Sequence, residues 1–187
     1  MLKKSISCLI AMAGVIALSA NAHAEVKKFM NIAGGKMQPF FRLEVTPPKG
    51  WIMEEQATKK YGVQMLVPKG KTFANADALI YVKVSYKPKD LDQAQFIKNS
   101  QDRWREEVPD SKITKMPEVA RANGKPAFLP YQYENPSQPK QPFEYVSFGE
   151  DGDKDGNTFN LMVTITGGDR KVIEKAAASY NEFLRAH

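Results

Sequence analysis

Two apolar runs, Phe143–Phe148 and Thr158–Thr166 (TFNLMVTIT), stand either side of the eight-residue stretch EDGDKDGN at 150–157. No other feature limits the fold as much. In the second run Phe159, Leu161, Val163 and Ile165 recur at every other position, the period of a strand with one face in a core. Large apolar groups occupy both faces of the first run, so both faces of that strand need covering. A two-stranded hairpin cannot supply such cover. The runs therefore imply a sheet with helices packed against it.

The rest of the chain supplies the partners. Ala78–Tyr86 (ALIYVKVSY) alternates cleanly, and shorter strands are expected at Phe40–Val45, Trp51–Ala57, Val63–Val67, Ser111–Val119 and within KPAFLPYQYE, after the turn signal Asn123-Gly124. Asp90 is placed to cap a helix on which Leu91, Ala94, Ile97, Trp104 and Val108 return at helical spacing, laying Trp104 on the sheet. Asp169 caps a final helix whose stripe is Val172, Ile173, Ala176, Tyr180, Phe183 and Leu184. Runs of strands interrupted by two long helices predict an α+β fold, an antiparallel β-sheet carrying helices.

The N-terminus reads as a secretory leader. Lys3 and Lys4 precede an apolar run from Ile6 to Leu18, which ends in SANAHA with small residues at Ala22 and Ala24. Cleavage after residue 24 is expected to leave a protein without a transmembrane anchor, in the periplasm or secreted, because the run falls short of the ~20 residues that span a bilayer. Residues 25–39 show no period and contain Gly34-Gly35, so a loosely ordered arm is expected before a single domain at 40–187.

Removal of the leader also removes the single cysteine, Cys8, and one of the two histidines, His23. Thiolate chemistry, disulfides and histidine-based triads or zinc sites are thereby excluded, and the reading is of a protein that is not an enzyme. The formal charge of the whole chain is +6, with basic residues in small groups and no nucleic-acid-binding signature, so no nucleic-acid partner is expected.

Several segments in order resemble the PsbP-like fold: FRLEVTPPKGW, ALIYVKVSY with the helix LDQAQFIKNSQDRW, GKPAFLPYQYE, and EYVSFG through NEFLRAH. The resemblance covers most of residues 40–187 and is carried by strand, turn and helix patterns. It implies an α/β/α sandwich and a binding or assembly-assisting role without catalysis, the partner being an envelope protein or surface component. It transfers no functional residue.

Two groups of side chains are candidates for binding. Asp151, Asp153 and Asp155, followed by Gly156, reproduce the first half of a calcium loop, but the twelfth position is Met162 where a bidentate glutamate belongs. A weak calcium site is the alternative to a solvated hairpin turn, and no other cofactor is implied. Tyr131, Tyr133 and Tyr145 are candidates for an interaction surface, since tyrosine suits a place where an apolar body ends in a wet tip.

Overall fold

The computed structural model describes residues 25–187 apart from 34, 35 and 123; the proposed leader and Asn123 lie outside the described residues. In chain order the elements are β1 (Val26–Ala33), β2 (Lys36–Leu43), β3 (Trp51–Met53), α1 (Glu55–Tyr61), β4 (Gln64–Pro68), β5 (Ala78–Tyr86), α2 (Gln93–Glu107), β6 (Lys112–Lys115), β7 (Leu129–Glu134), β8 (Phe143–Gly152), β9 (Thr158–Gly167) and α3 (Arg170–Ala186). The fold is α+β, as the periodicity indicates. Strands β3 to β9 form one antiparallel sheet in the order β3-β4-β5-β9-β8-β7-β6, and β1 pairs only with β2.

The two apolar runs occupy the interior of that sheet, β9 lying between β5 and β8 with Val163 opposite Val82 on one side and Ser147 on the other. One face of β5, β9 and β8 carries Ile80, Val82, Leu161, Val163 and Ile165, which α3 covers with Ile173, Tyr180, Phe183 and Leu184; all are buried. Asp169 opens α3 by accepting from Val172 N at 2.9 Å. The buried Tyr180 hydroxyl donates to Val163 O at 2.7 Å and lies 2.8 Å from Ser147 Oγ, so the one polar tip on the inner face of α3 is satisfied.

On the opposite face α2 packs through Ile97 and the rings of Phe96 and Trp104, whose centroids stand 5.9 Å from Phe148 and 6.3 Å from Tyr133. Trp104 thus reaches the sheet as its spacing requires. Its Nε1 donates towards Asn135 Oδ1 at 3.1 Å and Ser111 Oγ at 3.2 Å. The cap of this helix is Asp92, accepting from Gln95 N at 2.7 Å, and the expected Asp90 lies in the turn before it.

Three stretches differ from expectation. Trp51–Ala57 is a strand only as far as Met53, because the Glu54 side chain caps Ala57 N and starts α1, which Gly62 closes in the left-handed region at φ +68°. Residues 25–39 are not a loose arm: Val26–Ala33 pairs with Lys36–Leu43 from Val26↔Leu43 to Ala33↔Lys36. Val26 and Leu43 at the hairpin base are buried, and the Gln64 side chain accepts from Leu43 N at 2.8 Å and donates to Leu43 O at 2.7 Å. Phe29, Met30 and Met37 on the same hairpin are exposed, so burial imposes no alternation that a sequence reading could detect. Ser111–Val119 shortens to β6 plus one bridge between Val119 and Phe128.

Candidate functional site

Helix α2 sits over β7 and β8 and leaves part of β5 and β9 uncovered. A cleft of about 480 Å³ lies between them. Because successive strand residues point to opposite faces, register alone decides what lines the floor. Tyr81, Thr164 and Val146 stand side by side in one row, and Thr166, Glu144 and Tyr133 in the adjacent row. Phe96, Ser100, Arg103 and Trp104 of α2 form the opposing wall.

Glu144 is the unusual member. It is 3% exposed, and its Oε1 has no hydrogen-bond partner among the described residues. The hydroxyls of Thr164 and Thr166, both buried, make no well-aligned hydrogen bond among the described residues, that of Thr166 lying near Glu144 and that of Thr164 near Tyr81. Buried polar groups are nearly always paired, so the unpartnered Glu144 oxygen, with only neutral hydroxyls beside it, marks a place where hydrogen-bonding capacity is left over. Burial pushes the Glu144 carboxyl up to about 7, with the nearby Thr166 hydroxyl opposing it slightly. Burial likewise raises the Tyr81 and Tyr133 hydroxyls well above their ordinary value, and the Glu144 charge adds to both. Near neutral pH the floor can therefore present Glu144 as an acceptor or a donor, and the two phenols as donors.

The three aspartates singled out in the sequence are not brought together. Asp151 belongs to strand β8, is buried, and faces Arg121 Nη2 at 2.7 Å and Lys125 Nζ. Arg121 also donates to Glu150 O at 2.7 Å and to His187 O. Asp153 instead organises the turn: Oδ1 accepts from Asp155 N and Asn157 N, both at 2.9 Å, and Oδ2 from Asn157 Nδ2 at 2.8 Å. The Asn157 side-chain amide, helped by these backbone N–H groups, holds Asp153 below the usual carboxylate range. Gly156 completes the turn at φ +81°. Among the described residues no group of three or more His, Cys, Asp or Glu is arranged to hold a metal ion.

The tyrosines do not share a surface either. Tyr131 and Tyr133 lie on the α2 face, where Tyr131 is half-buried against Phe148 with centroids 5.9 Å apart, and Tyr133 is buried in the cleft floor. Tyr145 is registered against Gln132, which places it on the opposite face beside Phe143 and Tyr180 at 5.2 and 6.5 Å. Strand alternation separates it from the other two. Only Tyr133 belongs to the cleft. Glu144 escaped the sequence reading although it carries a signal: a carboxylate inside EYVSF, on a strand whose neighbours require burial on both faces, has to be a buried charge.

No helix among the described residues is long and apolar enough to cross a membrane. No protein-family model matches the chain, and no curated protein is detectably similar to it in sequence.

Proposed function

We propose that this chain is an exported, non-enzymatic binding protein of the cell envelope that holds a small organic ligand in the cleft beneath α2. The observation that carries the reading is Glu144, buried at the floor of a cleft with aromatic walls and with one carboxyl oxygen unpartnered. A mostly apolar concavity with a few convergent polar groups is the usual form of a ligand site. Export rests on the leader-like layout of residues 1–24, and kinship with PsbP-like binding proteins on the ordered segments that carry that resemblance. His187 lies away from the cleft, its Nε2 3.2 Å from Thr46 N and 3.1 Å from Thr46 O and its ring 4.8 Å from Phe183.

Thermal unfolding of the purified protein in a panel of small amines, carboxylates and neutral polar aromatics tests the proposal. At least one class should raise the unfolding temperature in a saturable manner. The shift should vanish in Asn99→Trp, which puts a bulky ring into the mouth from an exposed position of α2. A panel without any shift, or shifts indifferent to Asn99→Trp, would remove the cleft as a binding site.

A further inference from the structure

We infer that the ligand of this cleft is an organic ammonium ion, with its positive group on Glu144 and its carbon skeleton against the aromatic walls. The inference rests on the cleft being a binding site and specifies what enters it. Three independent features agree on the chemistry.

The first is the unpartnered Oε1 of Glu144 at 3% exposure. A buried carboxylate with free acceptor capacity is best completed by a positively charged donor, which supplies both the charge and the hydrogen bond. The second is the wall composition: Tyr81, Phe96, Trp104 and Tyr133 line the same cleft, and the negative face of such a ring attracts a cation brought within about 6 Å of it. The third is size and ligand count. The space of about 480 Å³ far exceeds a bare ion. A metal ion would want several carboxylate or imidazole ligands, and among the described residues no cluster of three is present.

The charges around the site are compatible with this assignment. Tyr81 and Lys83 face the cleft from β5, Tyr133 from β7 and Thr164 from β9, while Arg103 and Glu107 face it from α2. Thr166 on β9 and Gln101 on α2 approach the same floor, and Arg105 acts on Tyr133. Lys83 is registered against Met162, four residues along β9 from Thr166, the neighbour of Glu144. That separation is about 13 Å along the strand. Lys83 and Arg103 are exposed at the rim, so water and salt screen their repulsion, and Glu107 stands among them. A cation that passes the rim meets Glu144 as the one acidic group of the floor.

A proton linkage follows. With Glu144 held near 7 by burial, an ammonium ion must displace the Glu144 proton when the pH is lower, and affinity should fall by up to tenfold for each pH unit below about 7. A neutral hydrogen-bonding ligand would show no such decline.

Calorimetric titration with phenethylammonium, 2-phenylethanol and 3-phenylpropionate at pH 8 and pH 5.5 decides the matter. We expect saturable binding of phenethylammonium at pH 8, at least tenfold weaker at pH 5.5 and at least tenfold weaker in Glu144→Gln at pH 8. The wild-type pH comparison needs no variant, so the test survives if Glu144→Gln fails to fold. Phenethylammonium binding that ignores both pH and Glu144→Gln overturns the inference. Binding of only the alcohol or the carboxylate, blocked by Asn99→Trp, overturns the ammonium assignment and leaves the cleft reading standing. Absence of binding by all three probes, together with an inert thermal panel, overturns both.

Discussion

Glu144 and Asp151 lie on the same strand, β8, and are buried to nearly the same degree, at 3% and 5% exposure. They stand an odd number of positions apart and so point to opposite faces of the sheet. Asp151 is met by Arg121 at 2.7 Å and by Lys125, and it receives Gly152 N at 2.8 Å. Among the described residues Glu144 has no cation beside it and keeps one oxygen unpartnered. Equal burial therefore produces unlike groups, because the neighbours decide whether a buried charge is neutralised within the fold or left for something else to neutralise. The same contrast holds for the faces at large. Apolar side chains from β5, β9 and α3 fill one face, whereas on the other Tyr81, Thr164, Thr166 and Glu144 form a polar patch beside the apolar contacts of α2, which covers that face incompletely.

Removal of the paired carboxylate should have the largest effect. Asp151→Ala takes the facing carboxylate from Arg121, whose side chain is fully buried and keeps only the oxygens of Glu150 and His187, and should cost about 3–5 kcal/mol in denaturant unfolding. Burial already pulls Arg121 below its ordinary value, and only Asp151 opposes that pull. The double variant Arg121→Met with Asp151→Leu should recover most of the loss. A single variant as stable as wild type would show that the pair does not close this end of the sheet.

Glu144 should behave in the opposite sense. Its carboxyl titrates at about 7 in the folded protein against 4.5 for the free group, so the native state holds its proton longer than the unfolded chain does. The sign follows directly: this group's favourable contribution is complete below about pH 4.5 and is lost as pH rises to about 7. Glu144→Gln should abolish that decline and make the ligand-free protein more stable than wild type at pH 8 by up to about 3 kcal/mol. Unfolding curves at pH 5 and pH 8 would show it. A destabilised Gln variant at pH 8 would mean that Glu144 has a partner within the fold, and the contrast with Asp151 would collapse.

The smallest effect is expected at the polar tip on the face covered by α3. Tyr180→Phe removes a buried hydroxyl that serves Val163 O and Ser147 Oγ, and should cost about 1–2 kcal/mol by the same denaturant measurement without altering the response to any cleft ligand. A change in ligand response would show that the two faces communicate through β8 and β9.

Legibility along the chain followed burial. Strands β5, β8 and β9 and helices α2 and α3 could be read in advance because a core imposes period 2 or 3.6 on residues such as Val82, Val163 and Ile173. The β1–β2 hairpin and α1 could not. The hairpin is held at its base by Val26, Leu43 and the Gln64 side chain, a residue distant in sequence, and α1 depends on a glutamate cap that also fits a strand. Within the candidate site, Glu144 was legible as a buried carboxylate on a strand that needs cover on both faces but was passed over, whereas Asp151, Asp153 and Asp155 drew notice through a local pattern that the fold divides between an ion pair and a turn.

The sequence by itself determined the α+β class, the two long helices, the central hairpin and the absence of cysteine beyond Cys8, since each depends on composition or on a period written along one segment. Only the tertiary structure decided which strands become neighbours, that Arg121 reaches Asp151, and that α2 leaves Glu144, Tyr81 and Thr164 at the floor of a cleft. Those outcomes depend on contacts between residues far apart in the chain, and a local pattern carries no record of which distant side chain will arrive to neutralise a buried charge.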